Sequence, residues 1–198
     1  MIRKIFFIKL LKKLYEKLLQ FILVTRGDIV ANIINKEKSE NYIEIGVYKG
    51  DTFLNVLENC PRLRELSGVD SYDAKNYNNY QRDNTEQFNQ KTLDEAYYEL
   101  KYKLKYEPST KLYKSDSLKA SKLIRNNSVD IIFIDASHKY EDVKKDIKIW
   151  LPKIKKGGVL IGHDYCIVHF GVILAVNELL GINNTQILPH DIWYYKKK

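Results

Sequence analysis

Two acidic residues follow two short apolar runs in the second half of the chain. Asp135 comes directly after the run 129–134 (VDIIFI), and the pair His163-Asp164 comes directly after the run 158–162 (GVLIG). Carboxylates and imidazoles can take a proton from a reacting hydroxyl, and they can also bind a divalent metal ion. The chemistry available at these positions is therefore general-base catalysis, metal binding or both.

The segment between the two runs predicts how these residues come together. Its apolar residues Val143, Ile147 and Trp150 recur at helical spacing, with lysines on the opposite face. A strand, a helix and a second strand form a βαβ unit, and ligands bind beyond the carboxyl ends of its parallel strands. The residues expected at that edge are Asp135, His138, His163 and Asp164.

A glycine turn follows the first predicted strand, residues 41–46, in the sequence EIGVYKG. Gly46 and Gly50 would let the backbone approach a ligand closely, and the helix that follows offers unpaired N–H groups. Asp70 ends the next predicted strand, where a carboxylate can accept hydrogen bonds from a ribose diol. The glycines alone are equally consistent with a plain tight turn, but together with Asp70 they favour an adenosine-containing ligand.

The rest of the chain alternates between strand and helix signals, which predicts an α/β fold. Residues 71–82 form a polar stretch that is expected to be a loop, either disordered or folded over the substrate. Further strands are predicted at 66–70, 110–114 and in a closing pair around 185–195, and helices at 28–37, 50–59, 84–105, 116–125 and 171–180.

Residues 3–24 place leucines on one face and lysines on the other with a helical period, which predicts an amphipathic helix. This helix belongs to a predicted N-terminal segment, residues 1–38, ahead of a domain at 39–198. Packing on the domain or homodimerisation is favoured over contact with a membrane surface, because apolar helical stripes are usually buried in protein. Lysines interrupt the apolar runs, so neither a signal peptide nor a membrane span is expected.

The net charge of +8 lies at the ends of the chain. Residues 1–26 contribute +6 and the three C-terminal lysines +3, which leaves the remainder at −1. A nearly neutral body argues against a nucleic-acid partner. Cys60 and Cys166 are the only cysteines and lie far apart, so neither a disulfide framework nor a zinc knuckle is indicated. A cytoplasmic protein, in peripheral contact with a membrane at most, is expected.

Five sequence blocks, in this order, resemble class I S-adenosylmethionine (SAM)-dependent methyltransferases: EIGVYKG, GVD, SDS, FIDASHKYEDVKKDI and GGVLIGHDY. They look like the small bacterial O-methyltransferases grouped with macrocin O-methyltransferase, over residues 41–195. The resemblance implies a Rossmann-like, doubly wound, seven-stranded and mainly parallel sheet with an antiparallel last strand. It also implies transfer of a methyl group from SAM to a hydroxyl of a sugar or small natural product.

The same resemblance implies a role for each motif residue. Tyr48 is a departure, since many relatives have a glycine at that position of the turn. The cofactor residues implied are Glu44, Gly46 and Gly50 at the methionine end of SAM, Asp70 at the ribose, and Asp116 and Ser117 at the adenine.

Asp135, His163 and Asp164 match the positions at which metal-dependent O-methyltransferases hold Mg²⁺. Mg²⁺ prefers oxygen ligands, so an imidazole at position 163 leaves open a softer metal, or a general base with no metal. His138 either positions the substrate, binds the carboxylate of SAM through water, or caps the helix that begins beside it. The implied catalytic residues are Asp135, His163 and His138.

Two other classes of protein remain as alternatives. A nicotinamide-dependent oxidoreductase would carry G-x-G-x-x-G at the first turn, which EIGVYKG lacks. A non-catalytic adaptor at a membrane surface could share the fold, but it would have no need for the first-turn glycines or Asp70. The sequence therefore favours an enzyme that acts on a small-molecule or saccharide acceptor.

Overall fold

The computed structural model describes residues 24–80 and 88–198. In this part of the chain seven strands form one sheet in the order β3-β2-β1-β4-β5-β7-β6, and only β7 runs in the direction opposite to the other six. The predicted Rossmann-like sheet with an antiparallel last strand is therefore confirmed. The strands are β1 (Asn41–Ile45), β2 (Glu65–Asp70), β3 (Thr110–Lys114), β4 (Val129–Ile134), β5 (Ile154–Gly162), β6 (Thr185–Leu188) and β7 (Ile192–Lys196).

Helices cover both faces of the sheet. Successive residues of β4 point to opposite faces, so Ile131 and Phe133 pack in one core cluster while Ile132 and Ile134 pack in the other. The first cluster contains residues of α1 (Arg26–Lys36), α2 (Asp51–Asn59) and α4 (Gln90–Lys103), and the second those of α5 (Ser117–Ser121), α6 (Tyr140–Trp150) and α7 (Phe170–Leu180). A further helix, α3 (Ala74–Tyr80), follows β2, and 3₁₀ turns occur at Leu151–Lys153, Ile167–His169 and Ile182–Asn184.

The helix between β4 and β5 follows the predicted pattern. Val143, Ile147 and Trp150 of α6 are buried against the sheet, with Trp150 completely so. Glu141 and Asp142 lie in its first turn, where negative charge stabilises the helix dipole. This unit brings the exits of β4 and β5 to one edge, as predicted.

Three predicted elements differ in the structure. The polar stretch 71–82 is not wholly a loop, because it contains α3. Strand β5 begins at Ile154, and the expected Gly-Gly turn is an irregularity inside it, where the pairing with β4 shifts register between Val129 and Ile131. Helix α5 ends at Ser121 rather than 125, and the residues after it form turns that include Asn127, which has a positive φ of 52°.

The amphipathic helix predicted at residues 3–24 lies outside the described residues except for Val24, and so do residues 84–87 of another predicted helix. That helix, α4, is seen from Gln90 onward, with the Asn89 side chain accepting a hydrogen bond from the backbone N–H of Thr92. Within the described part, α1 packs on α2 and on the sheet. No helix among residues 24–80 and 88–198 is long and apolar enough to cross a membrane.

Candidate active site

A cleft of about 340 Å³ opens at the carboxyl ends of β1, β2 and β4. This is the edge at which open α/β sheets bind ligands. Of the residues implied by sequence, its walls include Gly46, Gly50, Asp70, Asp116, Ser117, Asp135 and His138.

The two glycines of the first turn have positive φ angles and close neighbours, a backbone carbonyl at Gly46 and a side chain at Gly50. Gly46 has φ +89°, and a Cβ there would lie 2.0 Å from the carbonyl oxygen of Asp135. Gly50 has φ +86°, and a Cβ there would lie 2.6 Å from a methyl group of Leu100. Tyr48 also has a positive φ, 47°, which is unfavourable for a residue with a side chain. Because Gly46 has no side chain, the turn after β1 can pack directly against the backbone at the exit of β4.

Asp70 organises this turn through its carboxylate. Its Oδ2 atom accepts hydrogen bonds from the backbone N–H groups of Val47 (2.9 Å) and Tyr48 (2.8 Å) and from the Tyr77 hydroxyl (2.7 Å). Its Oδ1 atom accepts from the backbone N–H of Tyr72 at 2.9 Å. Tyr77 belongs to α3, so this helix covers the carboxylate that was predicted to bind a ribose.

Glu44 lies in β1 behind the cleft rather than in its wall. Its side chain is buried and accepts a hydrogen bond from the Tyr42 hydroxyl at 2.8 Å. Burial raises the pKa of Glu44 to about 8. Burial therefore favours the protonated carboxyl group, and this group does not line the space predicted for the cofactor.

Asp116 and Ser117 lie where β3 leads into α5. Asp116 caps α5 by accepting a hydrogen bond from the backbone N–H of Lys119 at 2.9 Å. The Ser117 hydroxyl donates to Asp146 at 2.5 Å and accepts from the Trp150 indole at 2.7 Å. Both residues line the cleft, but their side chains already have protein partners.

Sequence reasoning missed Asp146, which is buried and also lines the cleft. Burial raises the pKa of Asp146 to about 6, against the opposing hydrogen bond from Ser117. A signal was available in the sequence. An acidic residue at position 146 lies within the apolar stripe that contains Val143, Ile147 and Trp150, where charge is unexpected.

Asp135 lies at the β4 exit and forms an ion pair with Arg26, whose Nη1 is 2.7 Å from Asp135 Oδ2. Arg26 is held in turn by a 2.9 Å hydrogen bond from its Nε to the Thr52 hydroxyl. Burial raises the pKa of Asp135, while the neighbouring Arg26 and His163 oppose that shift. Sequence reasoning assigned Arg26 to the basic N-terminus, because nothing local links it to a strand exit more than a hundred residues away.

Asp164, at the β5 exit, is surrounded by imidazoles. Its Oδ2 is 2.7 Å from Nε2 of His138, and its Oδ1 is 3.0 Å from Nδ1 of His163 and 3.6 Å from Nε2 of His169. Burial alone would raise the pKa of Asp164, but His138 and His163 beside it lower the pKa far below its usual range. His169 was missed by sequence reasoning because it lies outside the quoted motifs.

The residues predicted to hold a metal meet its distance requirement. Asp135, His163 and Asp164 each offer a ligand atom, and these atoms all lie within 4.8 Å of one another. The buried Nδ1 of His163 makes no aligned hydrogen bond with any described residue. A cation or a proton placed between the two carboxylates would satisfy this atom, although Arg26 already provides one positive charge at Asp135.

Comparisons with known proteins agree with this fold. The family described as a methyltransferase domain matches residues 43–165. An uncharacterized protein of Acanthamoeba polyphaga mimivirus is 24% identical over 167 residues, which cover 77% of this chain and 66% of that relative. This chain therefore spans slightly less than two thirds of the relative's length.

Two solved structures share the fold. The O-methyltransferase TomG from Streptomyces achromogenes, in complex with SAM, aligns with a TM-score of 0.62 and 11% identity over 88% of this chain and 82% of that one. The TDP-rhamnose 3'-O-methyltransferase of calicheamicin biosynthesis aligns with a TM-score of 0.58 and 16% identity over the same shares.

The sheet order, the glycine turn and the acidic strand exits define a class I methyltransferase fold. With more than half of its length matched, the chain belongs to the methyltransferase domain family. The family expected from the sequence motifs is therefore confirmed.

Proposed function

We propose that this protein transfers a methyl group from SAM to a hydroxyl of a sugar or small natural product. The observation that carries the proposal is that one cleft joins the glycine turn to Asp135 and His138. We call the part formed by Gly46 to Gly50, Asp70 and Asp116 the cofactor end. The part formed by Asp135 and His138, together with Asp164, which contacts His138 from outside the cleft lining, is called the acceptor end.

At the cofactor end, the backbone supports a bound nucleoside. The turn from Gly46 to Gly50 presents main-chain atoms to the cleft, and Asp70 lies beside it at the β2 exit. Asp70 Oδ2 already accepts three hydrogen bonds, so a ribose hydroxyl would replace the Tyr77 hydroxyl there. SAM binding is therefore expected to be coupled to a movement of Tyr77.

At the acceptor end, Asp135 is placed to accept a proton. Its carboxylate lines the cleft, and Arg26 fixes its orientation through a contact of 2.7 Å. SAM carries an activated methyl group, so the protein must align the acceptor oxygen and remove its proton. We assign proton removal to Asp135, with His138 positioning the acceptor from the same wall.

A divalent ion at Asp135, His163 and Asp164 is part of the proposal, since their ligand atoms have suitable spacing. An ion held there would lower the pKa of the acceptor hydroxyl. The Arg26 guanidinium counts against it because it repels a second cation beside Asp135. Activity lost in EDTA and restored by Mg²⁺ would support the ion; unchanged activity would leave Asp135 to act alone.

A sugar or small natural product as acceptor is supported by the aromatic side chains that line the cleft and by one similar solved structure. Tyr48, Tyr77 and Phe88 form an aromatic group at the cleft, with ring centroids 5.0 to 6.0 Å apart. Aromatic faces suit planar or sugar-like small molecules. The similar enzyme of calicheamicin biosynthesis is named a TDP-rhamnose 3'-O-methyltransferase.

Isothermal titration of the full chain with SAM tests the proposal. Asp70→Ala should weaken SAM binding by roughly 1 to 3 kcal/mol, as expected for a lost buried hydrogen-bonding partner. Glu65→Ala, which removes an exposed carboxylate at the opposite end of β2, is the control and should bind SAM like wild type. Binding of NADH with no response to SAM would reject the proposal in favour of an oxidoreductase.

The amphipathic segment at residues 3–24 is proposed to pack on the domain or on a second subunit. A chain lacking residues 1–23 keeps the Thr25 cap of α1 and Arg26. Unfolding or dissociation of this shorter chain would support the packing role. Intact folding and SAM binding with lost association to anionic liposomes would mark a membrane contact instead.

A further inference from the structure

Three of the four histidines in the chain surround one carboxylate at the acceptor end. Two of them, His138 and His169, form a second group with Asp164, the residue that this group shares with Asp135 and His163. Their ligand atoms and a carboxylate oxygen of Asp164 lie within 4.8 Å of one another. The fourth histidine, His190, is exposed and is not part of either group.

The donor set of this group differs from that of the other one. It offers two imidazoles and one carboxylate, whereas Asp135, His163 and Asp164 offer two carboxylates and one imidazole. Imidazole is a good ligand for Zn²⁺, Co²⁺, Fe²⁺ and Ni²⁺, while Mg²⁺ prefers oxygen. We propose that His138, Asp164 and His169 bind a divalent transition-metal ion.

The observed distances are close to those that one ion requires. Ligands about 2.1 Å from a shared ion lie roughly 3 to 3.5 Å apart. In the structure the Nε2 atoms of His138 and His169 lie 2.7 and 3.6 Å from the two oxygens of Asp164. The two imidazole rings are 4.0 Å apart between centroids. Small side-chain adjustments are sufficient to bring the three ligands around one ion.

The backbone holds these ligands together through Gly171 in the first turn of α7. A Cβ on Gly171 would lie 2.6 Å from the carbonyl oxygen of His138 and 2.7 Å from the backbone nitrogen of Tyr140. The missing side chain thus lets the start of α7, which follows His169, pack directly on the loop that carries His138. Asp164 has a φ of +62°, so the chain turns sharply as it leaves β5 toward His169.

An ion also has access to this group from solvent. The side chains of His138 and His169 are 39% and 29% exposed, while that of Asp164 is 15% exposed. A bound ion would tie the loop after β4 to the connection between β5 and α7. It would thereby fix His138, which lines the cleft, at the acceptor end.

Titration of the metal-stripped full chain with Co²⁺ alone tests this proposal, because imidazole-bound Co²⁺ has visible absorption bands. We expect one ion per chain, and at least tenfold weaker binding in both His138→Gln and His169→Gln. His190→Gln is the matched control and should bind Co²⁺ like wild type. His163→Gln should also retain the site, and excess Mg²⁺ should not displace Co²⁺.

Wild-type Co²⁺ binding in both His138→Gln and His169→Gln would overturn the proposal. Loss of binding only in Asp135→Asn and His163→Gln would overturn it as well, since the ion would then occupy the other group. Circular dichroism of each variant separates ligand loss from unfolding. SAM titration is an independent readout, so a chain that binds Co²⁺ but not SAM would reject the proposed function and leave the metal site standing.

Discussion

The two ends of the cleft are built in different ways. At the cofactor end, Asp70 accepts three backbone N–H groups and the Tyr77 hydroxyl, so that its carboxylate is saturated by the protein. At the acceptor end, Asp135 pairs with Arg26 and Asp164 lies among three imidazoles, and the buried Nδ1 of His163 makes no aligned hydrogen bond in the described part of the chain.

The two ends therefore depend on different parts of the protein: the path of the backbone at the cofactor end, and polar side chains at the acceptor end. Backbone contacts fix the cofactor end, because each is set by the path of the chain and few side chains would fit there. Side chains form the acceptor end, and their polar atoms keep capacity for a proton, an ion or a substrate. Substitution of the glycines at the cofactor end should therefore act mainly on folding, and substitution at the acceptor end mainly on activity.

The largest effect is expected from Gly46→Ala. The new Cβ would lie 2.0 Å from the carbonyl oxygen of Asp135, at a φ of +89°. We expect a loss of roughly 3 kcal/mol or more in the free energy of unfolding, measured by urea denaturation. Gly157→Ala is the control: it shares a positive φ of 78° but has no atom within 4 Å, so only the strain of about 1 kcal/mol should appear. Equal losses in the two variants would mean that the turn is not tightly packed.

Asp135→Asn should act mainly on the reaction. It removes the proposed proton acceptor while keeping the shape of the side chain, so kcat should fall roughly 100-fold or more. SAM affinity, measured by titration, should change little because the cofactor end is intact. If Asp135→Asn instead loses SAM binding and keeps its turnover per bound SAM, the proposed division into a cofactor end and an acceptor end is wrong.

The buried Glu44 behind the turn predicts a pH dependence of stability. Its folded pKa of about 8 lies above the ordinary value of 4.5, so the folded state favours the protonated form. The contribution of Glu44 to the free energy of unfolding is fully present below pH 4.5 and is lost as the pH rises toward about 8. The side chain in Glu44→Gln stays neutral at every pH. Across this window the unfolding free energy of the variant should therefore fall by roughly 1 to 3 kcal/mol less than that of the wild type. Identical pH profiles would show that Glu44 does not titrate in this range.

The smallest effect is expected from Tyr77→Phe. The substitution removes the hydroxyl that occupies Asp70 Oδ2 at 2.7 Å, and thus leaves that oxygen open to a ribose hydroxyl. SAM should bind more tightly, by up to about tenfold, since one competing hydrogen bond is worth roughly 1 kcal/mol. Tyr98→Phe, on an exposed side chain, is the control. Weaker binding in Tyr77→Phe would mean that this hydroxyl contacts SAM rather than competing with it.

Much of the fold could be predicted from the sequence, because it depends on local patterns. The β-branched run at 129–134 and the helical stripe of Val143, Ile147 and Trp150 each specify an element and the face that it buries. The strand exits then follow from the parallel sheet, and they place Asp135 and Asp164 at one edge. The α3 helix within the polar stretch 71–82 was not predicted, since its interactions with Asp70 and Gln90 are tertiary.

The sequence by itself determined the class of fold, the glycine turn and the two acidic strand exits, since these depend on residue type and spacing along the chain. The tertiary structure alone decided the partners of those residues. Arg26 reaches Asp135 from the start of α1, Tyr77 folds back on Asp70, and His169 meets Asp164 from the connection before α7. Each of these contacts depends on where separate elements pack, and no local pattern in the sequence encodes that position.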